Sequence, residues 1–136
     1  MCGITGIFNL NGEPVSPVTL RKMTDAVKHR GPDGEGFYTD NFIGFGHRRL
    51  AIIDLSPTGH QPMLTPDGKY VLIFNGELYN FQELRIELEA KGHQFHSRSD
   101  SEVVLHAYAE WGERALNRFN AMFAFAIWDR TRQELF

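Results

Sequence analysis

A single cysteine among 136 residues excludes an intramolecular disulfide, and with it the bridge-stabilised scaffolds of small secreted domains. No apolar run approaches the roughly 20 residues of a membrane-spanning helix. Met1 to Leu10 is apolar, but it carries no basic residue and is too short for a signal peptide with its cleavage site. Charge of one sign is also lacking. With 14 Lys and Arg against 17 Asp and Glu, the net charge is −3, so general attraction to nucleic acid or to an anionic membrane is not expected. There is no internal repeat, low-complexity tract or linker. The loop Gly31 to Gly36 lacks the Lys-Ser/Thr ending of a phosphate-binding loop. The six histidines show no strong metal spacing, and His93 and His96 read as surface residues. Neither a metal nor a nucleotide is expected on this chain.

What is present suits one soluble, cytoplasmic domain. Hydrophobic residues make up 42% and charged residues 23%, a balance that excludes intrinsic disorder. A chain of this length buries roughly two-thirds of its unfolded surface. Strands are expected at Gly3–Phe8, Phe37–Thr39, Phe42–Ile53, Tyr70–Phe74 and Met122–Trp128, with a short one at Gln94–His96. Asn75-Gly76 reads as the break after the fourth. Helices are expected from the Ser16-Pro17 start to about Lys28, from Asn80 to Gly92, and from Ser99 through Trp111. Leu20, Met23 and Val27 form the apolar stripe of the first. Val71–Phe74 and Met122–Trp128 are apolar on both alternating faces, so each should be covered on both sides. Hairpin-like connections favour antiparallel pairing. The expectation is an α+β layered sandwich, sheet on sheet with helices outside, rather than a two-layer fold. The last residues, Trp128 to Phe136, read as a strand end, a turn and a new strand beginning. That pattern suggests a domain incomplete at its C-terminus; a native end on a short edge strand is the alternative.

Several residues could carry chemistry. Cys2 follows Met1 and is small enough for Met1 to be removed. Its α-amine, with an ordinary pKa near 7.7–8.0, could then act as base for its own thiol. On position alone, a small apolar residue at a strand start is the plainer reading. Gly at position 2, needed for myristoylation, is absent. On the strand through Gly46-His47-Arg48-Arg49-Leu50, alternation places Ile43, Phe45, His47, Arg49 and Ile53 on one face and Arg48 on the other. Arg49, among apolar neighbours, needs a partner, and its planar fork suits a carboxylate; for a single arginine, a snorkelling or salt-bridged structural role is the plainer reading. Asn75 and Gly76 could supply an oxyanion hole, or simply a turn. Glu77 and Asp100 could hold an ammonium, although Asp100 also suits a helix N-terminus without any ligand.

In series, Met1-Cys2-Gly3-Ile4-Thr5-Gly6-Ile7-Phe8, His29-Arg30-Gly31-Pro32-Asp33, Gly46-His47-Arg48-Arg49-Leu50-Ala51-Ile52-Ile53-Asp54, Phe74-Asn75-Gly76-Glu77-Leu78-Tyr79-Asn80, Ser99-Asp100-Ser101-Glu102 and Met122-Phe123-Ala124-Phe125-Ala126 closely resemble the glutaminase domain of glutamine-hydrolysing asparagine synthases. Those domains are class II glutamine amidotransferases within the N-terminal nucleophile hydrolases. The resemblance covers residues 2–136. It implies a four-layer αββα sandwich and L-glutamine as substrate. Cys2 would be the nucleophile that forms a γ-glutamyl thioester, with Asn75 and Gly76 stabilising the oxyanion. Arg49 would clamp the α-carboxylate, and Glu77 and Asp100 the α-ammonium. Leu50, Ile52 and Ile53 would line the pocket. It further implies that the ammonia passes to a synthetase domain absent from this chain, which uses ATP and magnesium to amidate aspartate. A homodimer stays open.

Other readings remain. The ammonia acceptor could be a sugar phosphate, a phosphoribosyl compound or a specialised metabolite. The chain could also be a regulatory module that keeps the pocket without turnover. A nucleic-acid-binding module is disfavoured by the net charge and by having only Arg30, Arg48 and Arg49 to offer.

Overall fold

A computed structural model describes the whole chain, Met1–Phe136. Seven strands and three helices run in the order β1 (Gly3–Phe8), α1 (Pro17–Ala26), β2 (Gly34–Asp40), β3 (Ile43–Arg49), β4 (Met63–Leu64), β5 (Tyr70–Leu78), α2 (Phe81–Ala90), α3 (Asp100–Trp111), β6 (Ala121–Asp129) and β7 (Glu134–Leu135). All pairings are antiparallel, in two sheets ordered β1-β3-β2 and β4-β5-β6-β7. Helix α1 packs on the outer face of the first sheet, and α3, backed by α2, on the outer face of the second. The result is the expected αββα sandwich.

The core is accordingly divided. Ile43, Phe45, Val71, Ile73 and Trp128 fill the space between the sheets. Leu72, Phe74, Leu78, Leu84, Leu88, Val104 and Ile127 belong to the cluster between the second sheet and its helices. Residues 71 and 73 of β5 thus face one layer, and 72, 74 and 78 the other. This is why Val71–Phe74 is apolar on both faces.

Three expectations are corrected. Strand β5 does not break at Asn75-Gly76; it continues to Leu78, with Asn75 opposite Ala124 and Gly76 opposite Phe123. Pairing with a nine-residue β6 outweighs the turn preference of the dipeptide. Strand β3 ends at Arg49, so Ile53 is not on its inward face. Residues 94–96 form no strand, because the His96 and Ser97 N–H groups donate to the Glu102 carboxylate instead, at 2.9 and 2.7 Å. The covering of β6 is also only partial. Ile127 and Trp128 are buried, but Met122 is 52% exposed, because the narrower first sheet does not reach over the first half of β6.

Helix α1 begins as expected, with the Ser16 hydroxyl accepting from Thr19 N–H at 3.3 Å. Its buried line is Leu20 and Thr24, not Met23, because the sheet beneath is floored by glycine. A side chain at Gly44 would meet Val15 and Leu20, and one at Gly46 would meet the Thr24 and Thr5 hydroxyls. Those hydroxyls bond each other at 2.9 Å. Gly46→Val should therefore lift α1 from the sheet and lower stability by about 2–3 kcal/mol, within the range for overpacked sites. Denaturant unfolding of variant and parent, at unchanged m-value, measures this.

Candidate active site

The site lies where both sheets end on the same side. Register extends from Gly3 opposite Arg48, so Cys2 lies beside Arg49 and Leu50. Its sulfur accepts from Leu50 N–H at 3.3 Å and faces Leu50 O at 3.6 Å, while its carbonyl accepts from Arg30 Nε at 2.9 Å. The glycine-rich loop braces this junction. A side chain at Gly31 would collide with the Arg48 backbone. Asp33 N–H donates to Arg49 O at 3.0 Å, and the Asp33 carboxylate accepts from Ala51 N–H at 2.9 Å.

The second wall is the edge of β5. Strand β4 covers this edge only at residues 71 and 72. Beyond it, antiparallel alternation turns the N–H groups of 74, 76 and 78 outward, away from β6. Phe74 N–H donates to Gln61 Oε1 at 2.6 Å, and Leu78 N–H to Asp100 Oδ2 at 3.0 Å. Between them, Gly76 N–H faces the cleft with no such partner. A side chain at Gly76 would strike Met122 O and Phe123, so glycine lets the two strands close at this point.

One cleft is lined by Met1, Cys2, Arg49, Leu50, Ile52, Ile53, Gln61, Gly76, Glu77 and Asp100, among others. Eight of the nine residues singled out by sequence thus meet. Asn75 does not line the cleft: its side chain points into the layer between the sheets, where Oδ1 is buried without a partner. Arg49 is held by carbonyl oxygens, Nη1 on Ser56 O at 2.8 Å and Nη2 on Asp54 O. Two of its five N–H donors are thereby used, and its partner is backbone rather than an acidic side chain. Arg48 faces the other way, as expected, paired with Glu35 at 2.7 Å and with Asp25.

The family model described as the glutamine amidotransferase domain matches residues 1–136. The chain belongs to that family. It is 47% identical over 139 residues to asparagine synthetase [glutamine-hydrolyzing] 3 of Bacillus subtilis, covering all of this chain and 22% of that relative. Amidase chry2 of Gibberella zeae is 37% identical over 147 residues, covering 99% of this chain and 22% of that protein. The chain thus spans about a fifth of the length of these curated relatives. Among solved structures, glutamine phosphoribosylpyrophosphate amidotransferase from B. subtilis superposes with a TM-score of 0.77 at 20% identity, over 95% of this chain and 35% of that one. That likeness concerns the fold.

Electrostatics in this amidotransferase domain are set by burial. Asp100 is 7% exposed. Desolvation pushes its carboxyl pKa up, against the Leu78 N–H that lowers it, and the charge of Glu77 raises it further. Sequence reasoning passed over Gln61, 4% exposed, which shows in neither periodicity nor spacing; it placed His47, 1% exposed, on the apolar face of its strand but gave it no role. It also placed His93 at the surface. His93 is instead half-buried, with Nδ1 2.9 Å from His106 Nδ1 and Nε2 3.0 Å from Glu110. His96 is exposed, as expected.

His47 joins the sheets, with Nε2 3.3 Å from Phe74 O. As the carbonyl only accepts, Nε2 carries the proton and Nδ1 stays bare, without a partner. Burial, which removes water from the charged form, lowers its pKa to about 4, with His60 and Arg49 adding repulsion. The unfolded chain therefore takes this proton first. Stability falls as pH drops from 6.5 towards 4, and the loss is complete below that. The contribution is about 3 kcal/mol. His47→Gln, which keeps an N–H for Phe74 O, should lose about that much less stability than the parent between pH 7.5 and 4. Urea midpoints across this range test it.

No helix of the structure is long and apolar enough to cross a membrane.

Proposed function

We propose that this domain hydrolyses glutamine with Cys2 as nucleophile, and that the ammonia serves the amidation of aspartate to asparagine elsewhere in a longer polypeptide. The observation that carries the reading is the shared cleft of Cys2, the outward N–H of Gly76, Arg49, and the Glu77–Asp100 pair. Free glutamine presents a carboxamide, a carboxylate and an ammonium, and the cleft holds a counterpart for each. Two adjacent carboxylates, one with its pKa raised by burial, are relieved by an ammonium between them. Arg49 keeps donors free for the carboxylate.

In the proposed reaction, Met1 is first removed. Met1 lines the cleft, so its loss opens the site and frees the Cys2 amine. The amine takes the thiol proton, and sulfur attacks the carboxamide carbon. The carbonyl electron pair moves to oxygen, against Gly76 N–H and the Asn75 amide. The amine returns the proton to nitrogen, the C–N bond breaks, and ammonia leaves. Water then opens the thioester to give glutamate. The Asn75 amide must turn towards the cleft to serve, and its partnerless Oδ1 leaves no hydrogen bond there to hold it back.

Aspartate as acceptor is supported by relatives named as glutamine-hydrolysing asparagine synthetases at 47% and 43% identity. ATP and magnesium would serve that acceptor chemistry. The residues here do not fit the metal: no group of three or more His, Cys, Asp or Glu could hold it.

Glutamate release from glutamine alone, measured on the natural full-length protein, tests the reading. Cys2→Ala should release none, and diazo-oxo-norleucine should label Cys2 of a protein whose mass lacks Met1. Retained Met1 with no turnover would favour a regulatory pocket instead. Asn75→Ala should lower kcat by about 100- to 1,000-fold, as for loss of one oxyanion donor. A kcat within a fewfold of the parent removes Asn75 from that role.

A further inference from the structure

Gln61 is the most buried uncharged polar side chain in the cleft, and its amide is used at both ends. Oε1 accepts from Phe74 N–H at 2.6 Å, and Nε2 donates to Ser101 Oγ at 3.0 Å. The first bond reaches the β5 edge two residues before Gly76. The second reaches the residue after Asp100, at the start of α3. A flipped amide would set Nε2 against the Phe74 N–H, so that donor fixes which way the amide points, and the Ser101 hydroxyl anchors its other end.

The backbone of Gln61 belongs to a different frame. Its carbonyl is wedged against β2, where any side chain at Gly36 would collide with it. Gly36 pairs with His47 of β3, the strand that ends beside Cys2. Two residues earlier in the chain, Gly59 packs against the Arg49 guanidinium. Gln61 thus lies in the loop between β3 and β4 with its backbone packed against the sheet that carries the nucleophile, while its side chain holds the strand and the helix that carry Gly76, Glu77 and Asp100.

Gln61 also decides how many donors the cleft contains. Of the three outward N–H groups on β5 beyond β4, it occupies that of Phe74 and Asp100 occupies that of Leu78. The middle one alone stays open. We propose that Gln61 is a positioning residue for glutamine hydrolysis: it fixes the Gly76 N–H relative to the Cys2 sulfur and does so without charge. This rests on the function proposed above. Charge matters because Glu77 and Asp100 already place two carboxylates at the cleft. A third, next to a developing oxyanion, would raise the barrier without loosening the grip on the distant carboxylate and ammonium of the substrate.

Gln61→Glu separates charge from structure. An ionised carboxylate still accepts from Phe74 N–H, and the Ser101 hydroxyl can rotate to donate to it. In the full-length enzyme, kcat for glutamate release at about pH 8 should fall about 10- to 100-fold, a fraction of an oxyanion-donor loss, with KM within about threefold. The introduced carboxyl, buried beside two others, titrates above its ordinary value of about 4.3. Once protonated, it again offers one donor and one acceptor. The variant-to-parent ratio of kcat should therefore climb towards one as pH is lowered from about 8 to about 5.5. A merely structural role would not produce that profile. Ser101→Ala, which removes the anchor of Nε2 and loosens the side chain, should lower kcat by about three- to tenfold at unchanged KM, and it decides the matter if Gln61→Glu does not fold. Parental kcat in the folded variants, a loss carried wholly by KM, or a pH-independent ratio overturns the proposal. Cys2→Ala run in parallel separates two failures. Residual glutamate release there overturns the reading of the cleft itself. An inert Cys2→Ala beside unaffected Gln61→Glu and Ser101→Ala overturns the role of Gln61 alone.

Discussion

An antiparallel strand with a full partner on one side only must satisfy its other edge with something else, since buried backbone groups left unpaired cost about 1–3 kcal/mol each. Strand β5 does this residue by residue. Thr65 takes Tyr70, strand β4 takes Leu72, Gln61 takes Phe74, and Asp100 takes Leu78. The exception, Gly76, faces a cleft where solvent or substrate can reach it. The same backbone alternation that builds the sheet therefore builds the open donor on which the proposed reaction would rely. Much else follows from keeping that edge open: the short β4, the loop that brings Gln61 across, and the placement of the α3 N-terminus at the strand end.

Asp100 illustrates how one residue serves two ends. As the first residue of α3, after Ser99 caps the helix by accepting from Glu102 N–H, it is stabilised by the helix terminus. As a buried carboxylate, it accepts from β5. Neither contact offsets desolvation fully, and its pKa stays raised. Glu77, on the same strand as its backbone partner Leu78, adds repulsion. A cleft that holds two carboxylates under these conditions favours a cationic guest more strongly than an exposed pair would, because water does not screen the pair to the same degree.

Local signals carried the layered architecture, whereas the candidate site residues came from several motifs in series that resemble a family. Helix starts at Ser16 and Ser99 were readable because a capping hydroxyl is a local signal, fixed within three residues. Strand β5 was readable as doubly buried because every residue from Val71 to Phe74 is apolar. The misread features were non-local. Asn75-Gly76 has turn chemistry, but β6 holds it extended. Residues 50–53 continue the apolar pattern of β3, yet Leu50 and Ala51 donate to Cys2 and Asp33 instead of to a strand. Asn80 has the spacing of a capping box, but its amide bonds Arg118 O and Asn120 N–H, 38 and 40 residues away. Gln61 sits in a proline-rich loop with no periodicity, and its partners are 13 and 40 residues distant.

The layer between the sheets shows why polar contacts persist in an apolar core. Hydrophobic packing is non-directional: Ile43, Phe45, Val71 and Ile73 fix how far apart the sheets lie but leave their sliding register weakly determined. Two directional bonds cross the layer at separate points. On one side, Trp128 Nε1 of β6 donates to Asp40 Oδ2 of β2 at 3.3 Å. Next to the cleft, His47 of β3 donates to Phe74 O of β5. Burying His47 leaves Nδ1 without a partner and disfavours its charged form, so an apolar residue of similar size would serve packing better. What an apolar residue would not supply is a fixed position of the Phe74 peptide. Its oxygen is tied to the first sheet by His47, and its N–H to α3 by Gln61 through Ser101. The peptide so fixed lies immediately before Asn75 and Gly76.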